Sequence, residues 1–202
     1  MRNTRTLTRR AVLAAVSVTA ALALTACGND DGHHSTSSSA AASADATAAA
    51  HNAQDVSFAQ GMIPHHRQAL EMAKLAADRA SSAQVKDLAS RVEKAQDPEI
   101  RTMSGWLTSW GEEPMPGMDH SGGSAMPGMM GGSDMGELEK ASGTDFDTMF
   151  LTMMIEHHQG AVAMATTEKT KGEYGPALSM ADDIVTAQTT EITDMNKLLG
   201  KS

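Results

Sequence analysis

The sequence predicts an all-α protein, a four-helix bundle built from two copies of one helical hairpin. Residues 55–107 match residues 147–199 without a gap at an offset of 92 residues, with 16 identities in 53 pairs. A duplicated unit repeats its structure together with its sequence. Apolar residues recur with the period of an amphipathic helix. The sustained alternation and the β-branched or aromatic runs that are typical of strands are absent from the sequence.

The chain begins with an export signal, residues 1–26. Four arginines precede an apolar run that is too short for a transmembrane helix of about 20 residues. The run ends in Leu-Thr-Ala-Cys, which resembles a lipoprotein cleavage site. We therefore expect Cys27 to be lipidated and to anchor the protein to the outer face of the cytoplasmic membrane. The pair Arg9-Arg10 leaves both the twin-arginine and the general secretory route open.

Residues 27–54 are predicted to be a flexible tether. They are mainly Ser, Ala, Asp and Gly, and such a segment cannot bury enough apolar surface to offset the entropy of ordering. Cys27 is the only cysteine, which excludes an intrachain disulfide. Loss of the signal removes four positive charges from a chain of net charge −9, leaving −13. This charge argues against a nucleic-acid partner and suits a domain that attracts cations.

The first predicted hairpin spans residues 55–110. Its first helix runs from about Asp55 to Arg79, and Ser81 with Gln84 predicts a capping box that opens the second helix. Pro64 and Pro98 predict kinks. One face of the first helix is apolar except for two histidines; it carries Phe58, Met62, His65, His66, Ala69, Met72, Ala73 and Ala76.

The second predicted hairpin opens at Thr144 with Asp147, and Gly175-Pro176 separates its two helices. The buried stripes of the second and fourth helices each carry one glutamate, Glu99 and Glu191. A carboxylate on a buried face needs a partner, so we expect both to lie inside the bundle within reach of a histidine, a metal ion or both.

Residues 111–143 join the hairpins and are rich in Gly and Pro. The composition predicts a mobile strap without a packed helix or a role in the core. This segment holds six of the fifteen methionines that remain after export. Thioethers are soft ligands that select Cu(I), although a linker with methionine by chance is the alternative. The candidate copper ligands here are Met115, Met118, His120, Met126, Met129 and Met130, with Met135 in the same set.

The repeated His-His pair is the second candidate site. Adjacent helical residues point 100° apart, which places His65 near the middle of its stripe and His66 at the edge. Imidazole and thioether together suit copper as Cu(I) or Cu(II). Because neutral imidazole is the ligand form, binding should weaken below about pH 6.5. The candidate ligands are Met62, His65, His66, Met72, Met154, His157, His158 and Met164, with Glu99 and Glu191.

A purely structural interpretation stays open at this point. A buried network of His, Glu and Gln can set the register of a bundle without a metal. The stripe methionines Met72, Met103, Met164 and Met195 serve equally well as core filler.

The repeated motifs Met-Ile-x-His-His-x-x-Ala-x-x-Met-Ala and Gln-x-x-Glu-Ile-x-x-Met resemble those of the exported bacterial family known as domain of unknown function 305. The resemblance covers about residues 55–200. It implies a ferritin-like bundle and a role in periplasmic copper binding and resistance. It also implies that the family's motif positions are Met62, His65, His66 and Met72, and Met154, His157, His158 and Met164.

These observations favour an exported copper-binding lipoprotein that buffers copper or passes it to a transport or enzyme partner, without catalysis. A ferritin-like di-metal oxidase is the second hypothesis, with Glu99 and Glu191 bridging ions held by His65 and His157. The sequence lacks the Glu-x-x-His pairs that di-iron bundles use. An interaction module with a structural His-Glu network is the third hypothesis.

Overall fold

The structure, a computed structural model, describes residues 50–114 and 126–201, which all belong to one compact unit, Ser43–Ser202. The predicted export signal, Cys27 and most of the predicted tether lie outside the described residues. Within the described ranges the chain forms only helices, so the predicted all-α class is confirmed. They are α1 (Ala53–Arg79), α2 (Ala83–Trp110), α3 (Gly132–Lys140), α4 (Gly143–Lys171) and α5 (Gly175–Leu198). None of these helices is long and apolar enough to cross a membrane.

Two hairpins, α1–α2 and α4–α5, pack together through α1 and α4. These are the first helices of the two repeats, so equivalent helices form the centre of the bundle, as a duplication about a pseudo-twofold axis predicts. Helices α1 and α2 continue through Pro64 and Pro98, and kinks at these prolines stay a prediction.

The apolar core divides into two clusters. The first half of α1, with Phe58 and Met62, packs with the second half of α4, including Ala165. The second half of α1, with Met72, packs with the first half of α4, including Phe150. Helices α1 and α4 are therefore antiparallel. On each of them, the residues between the two clusters are the His-His pair.

The predicted capping residues at the second and third long helices are wrong. Ser82, not Ser81, caps α2, because its Oγ accepts the Val85 amide at 3.3 Å. Asp147 does not cap its own helix, which begins at Gly143. Its carboxylate instead accepts the amides of Ser81 and Ser82 at 3.2 and 2.9 Å and the Ser81 hydroxyl. The sequence prediction assigned these caps from local spacing alone, and local spacing does not show that Asp147 accepts hydrogen bonds from the other repeat.

An equivalent set of hydrogen bonds joins the first hairpin to the turn of the second. Asp55, 92 residues before Asp147, accepts the amides of Glu173 and Tyr174 at 3.1 and 2.9 Å. These amides open α5 just as Ser81 and Ser82 open α2. Each hairpin thus supplies an aspartate that satisfies the exposed amides at the turn of the other hairpin.

The described part of the inter-hairpin segment differs from the predicted strap. Residues 132–140 form α3, Leu138 is fully buried, and Met130 is 8% exposed. Met135 packs against the same cluster. The glycines and prolines are concentrated before residue 133, whereas Glu137, Leu138 and Lys140 are good helix formers. The expectation that this segment has no helix and no core role is therefore wrong.

Candidate metal site

Four histidines form a buried layer between the two apolar clusters. His65, His66, His157 and His158 are each at most 1% exposed. The rings of His65 and His157, one from each repeat, face each other with centroids 3.8 Å apart. Both members of each pair are buried because α1 contacts α2 as well as α4, and α4 contacts α5 as well as α1.

Each of the other two histidines pairs with a glutamate of its own hairpin. The distance from His66 Nε2 to Glu99 Oε2 is 2.7 Å, and His158 Nε2 lies 2.7 Å from Glu191 Oε2. The expectation that both glutamates lie within reach of a histidine is confirmed, but the expectation that they lie inside the bundle is wrong, because both side chains remain partly exposed. They bind the outer histidine of each pair, and not the central ones, and their side chains are 25% and 15% exposed.

The oxygen acceptors determine which ring nitrogen is left to bind a ligand. An acceptor at Nε2 requires hydrogen on that nitrogen, so Nδ1 of the neutral ring carries the lone pair. This applies to His66 and His158, and to His65, whose Nε2 donates to the Pro127 carbonyl at 3.1 Å. Their Nδ1 atoms, and both ring nitrogens of His157, are buried without a hydrogen-bond partner. Such orphaned nitrogens fit metal coordination.

Burial keeps the central pair neutral. Desolvation, followed by the charge of His66, lowers the pKa of His65 to about 3. Desolvation, followed by the charge of His65, lowers the pKa of His157 well below its usual value. Protons therefore do not compete for these two rings near pH 6.5. The expectation that metal binding weakens below that pH stays a prediction, and these lowered pKa values argue against it for the central pair.

Several methionines lie within about one helical turn of the His-His pairs. Met62 and Met154 are fully buried, and each precedes a His-His pair by about one turn, which makes them neighbours on the helix surface. Met126 and Met164 both lie close to Gly61. A Cβ atom at Gly61 would lie 3.5 Å from Met126 Sδ and 3.0 Å from Met164 Cε.

The remaining candidate ligands do not belong to the histidine layer. Met129 is half-buried in the described part of the inter-hairpin segment. Met115, Met118 and His120 lie outside the described residues. Four other methionines are members of the apolar clusters, where they fill the core: Met72, Met103, Met130 and Met195.

Residues 50–114 and 126–201 contain no group of three or more His, Cys, Asp or Glu side chains arranged to hold a metal ion. Glu99 and Glu191 belong to different hairpins and each binds its own histidine. This arrangement does not provide the clustered carboxylates of a di-iron bundle. The described donors at and beside the histidine layer are imidazole and thioether, and that donor set favours a soft ion.

The fold and the site define a class of protein: an α-helical bundle formed by duplication, with a buried layer of histidine beside methionine. Residues 55–199 match the family model described as domain of unknown function (DUF305), and the chain belongs to this family. No protein among the curated sequences compared with the chain matches it.

Several solved structures are similar to this chain. A candidate secreted DUF305 protein from Streptomyces coelicolor is 32% identical with a TM-score of 0.66, covering 73% of this chain and 93% of that one. CopM in the Cu(I)-bound form is 35% identical with a TM-score of 0.61, covering 71% and 94%. CopM in the Cu(II)-bound form is 36% identical with a TM-score of 0.64, again covering 71% and 94%.

The predicted ligand set did not include four further buried residues of these helices. Gln96 and Gln188, at equivalent places on α2 and α5, are 3% and 4% exposed with unpartnered Oε1 atoms. Their identity in both repeats was the available signal. Gln68 and Gly160 also occupy equivalent places and contact the inter-hairpin segment. They differ between repeats, so comparison of the repeats for identity could not find them.

Proposed function

We propose that this protein binds copper outside the cytoplasm and buffers it or passes it to a partner. The observation that carries the proposal is the central pair, His65 and His157. Two neutral imidazoles from equivalent helices meet in the core, and three of their four nitrogens lack a hydrogen-bond partner. Leaving such groups buried and unpaired costs free energy. Coordination of a metal ion would satisfy one lone pair on each ring and so remove part of that cost.

Copper is favoured over other metals by the surrounding donors. Imidazole with thioether suits Cu(I), and imidazole also accommodates Cu(II). CopM, which is 35–36% identical to this chain, has been solved with Cu(I) and with Cu(II) bound, and in a silver-bound form. Silver(I) shares the soft character of Cu(I). The site residues of this chain fit the same chemistry.

The location is part of the proposal. Removal of residues 1–26 and lipidation of Cys27 would hold the bundle at the outer face of the membrane by the tether. Similarity to a candidate secreted DUF305 protein supports export. Labelling of cells with radioactive palmitate tests the anchor. Label should enter the native protein and be absent from C27S.

The test of copper binding uses the chain from residue 27 onward with C27S. Titration with Cu(I) without oxygen, and separately with Cu(II), should give a tight site. The double variant H65Q/H157Q should weaken that site by at least about tenfold. H51Q is the matched control, because His51 is not one of the four histidines of the layer and stacks on Trp110 instead. Equal affinity in native protein and double variant, with unchanged circular dichroism, would support the structural interpretation instead.

The oxidase hypothesis has its own measurement. Oxygen consumption by the metal-loaded protein with Fe(II) or Cu(I) separates a di-metal oxidase from a copper-binding protein. We expect no consumption above that of the free ions.

A further inference from the structure

One loop crosses the histidine layer from one repeat to the other. This crossing loop, residues 126–131, is held on α1 by Gln68. The Met130 amide donates to Gln68 Oε1 at 2.8 Å, and Gln68 Nε2 donates to the Met130 carbonyl at 2.9 Å. Gln68 is 2% exposed, so these are buried hydrogen bonds that fix the loop.

On α4 the loop rests against backbone. A Cβ atom at Gly160 would lie 1.9 Å from the Pro127 carbonyl oxygen and 2.8 Å from Gly128 Cα. Gly128 has φ +77°, and a Cβ there would lie 2.5 Å from the Glu156 carbonyl oxygen. Gly160 is the repeat equivalent of Gln68. The loop needs a hydrogen-bond partner on α1 and empty space on α4. The two repeats differ at the equivalent positions that supply these, Gln68 and Gly160.

This seat places two groups of the loop beside the central histidines. The Pro127 carbonyl accepts the hydrogen bond from His65 Nε2. Met126 and Met164 both lie close to Gly61, which is one turn before His65. The repeat equivalent of Gly61 is Met153, so only one half of the bundle leaves room for this thioether pair. Met126 and Met164 are half-buried, whereas His65 and His157 are at most 1% exposed.

We propose that the crossing loop is the port through which Cu(I) reaches and leaves the central histidines, with Met126 and Met164 holding the ion at the port. This inference rests on the proposed function. The buried rings are inaccessible unless the loop moves, and the half-buried sulfurs are the soft donors next to the solvent.

Transfer inward is a ligand exchange in which thioether bonds to Cu(I) break and imidazole bonds form. The oxidation state is unchanged. No proton leaves, because Nδ1 of His65 already carries a lone pair while Nε2 keeps its hydrogen.

The first test replaces the port sulfurs. The protein is again the chain from residue 27 onward with C27S, and transfer of bound Cu(I) to the chelator bicinchoninate is followed by stopped-flow. M126L and M164L should each slow transfer by at least about tenfold. M149L is the matched control, a half-buried methionine of α4 in the other apolar cluster. Native transfer rates in M126L and M164L would overturn the port.

The second test moves the loop without touching sulfur. G160A should displace the crossing loop, speed Cu(I) transfer and speed hydrogen exchange at the Met130 amide in the metal-free protein. G105A is the control, because a Cβ at Gly105 meets nothing within 4 Å. Q68L should reproduce the G160A effect if G160A does not fold. A protected Met130 amide and unchanged transfer in these variants would contradict the role of the loop.

The two proposals fail differently. Loss of copper in H65Q/H157Q with native transfer rates in the port variants keeps the copper site and refutes the port. Full copper binding in H65Q/H157Q refutes the site itself.

Discussion

The two adjacent histidines of each pair have different partners in this bundle. The sequence identified both pairs as buried and chemically important, and both are buried. It did not decide which member binds Glu99 or Glu191. Two residues 100° apart on a helix that contacts two neighbours both reach the interior, so helical periodicity alone does not separate them. Packing of α1 against both α2 and α4 makes the distinction.

A buried carboxylic acid, Glu168, lies in the last turn of α4. Glu168 is fully buried, and a Cβ atom at Gly172 would meet both its carboxyl and that of Asp55. Two carboxylates have no donor between them unless one is protonated. Desolvation, followed by the hydrogen bond and charge of Asp55, raises the pKa of Glu168 to about 8. Hydrogen bonds from Glu168 and backbone amides outweigh burial and lower the pKa of Asp55.

Stability should therefore fall as the pH rises. The folded protein keeps the Glu168 proton up to about pH 8, whereas the unfolded chain releases it near 4.5. The stabilising contribution is complete below pH 4.5 and is lost as the pH rises through about 8. Between pH 6 and pH 9, urea unfolding should report a loss on the order of 2 kcal/mol.

The variants E168Q and E156Q test this assignment. E168Q should remove the loss between pH 6 and pH 9, because the amide is neutral throughout. E156Q, at an exposed position of the same helix, should keep the native dependence. A pH dependence in E168Q equal to that of the native protein would assign the effect to another group.

At the scale of elements, the four long helices follow from the sequence and α3 does not. Apolar periodicity over more than 20 residues marks each long helix, whereas a nine-residue helix after a Gly-rich stretch has too few periodic positions to be detected. The cap at α2 was misassigned by one residue, since Ser81 and Ser82 are equally good capping residues and a distant aspartate decides between them.

The inter-hairpin segment contributes to the core through Met130, which is 8% exposed. M130A should lower the free energy of unfolding by about 2–3 kcal/mol, because it removes buried methylene groups and leaves a cavity. M130L nearly conserves volume and should cost less than about 1.5 kcal/mol. Denaturant midpoints of the two variants give the comparison. Equal stability of M130A and native protein would restore the original expectation of a segment without a core role.

At the scale of the whole molecule, two aspartates tie the hairpins to each other. The duplication was visible in the sequence, and so was the identity of Asp55 and Asp147 at equivalent places. That each acts on the opposite hairpin was not, because a sequence alignment of two repeats carries no information about which turn lies beside which helix. The antiparallel packing of α1 and α4 supplies that information.

The tie can be measured. D147A leaves the amides of Ser81 and Ser82 without their acceptor and should destabilise the protein by about 2 kcal/mol. D183A, at an exposed position of α5, should change stability by no more than about 0.5 kcal/mol. Thermal and urea unfolding of both variants provide the test. A D147A protein as stable as D183A would show that water replaces the bond at no cost.

The pair Gln68 and Gly160 has a consequence for the history of the two repeats. A chain assembled from two copies of the first half would carry a glutamine on both central helices, and the loop would meet a side chain where it now meets open space. A chain assembled from two second halves would leave the loop room on both sides and nothing to hold it. The halves have become complementary parts, and neither can now stand in for the other.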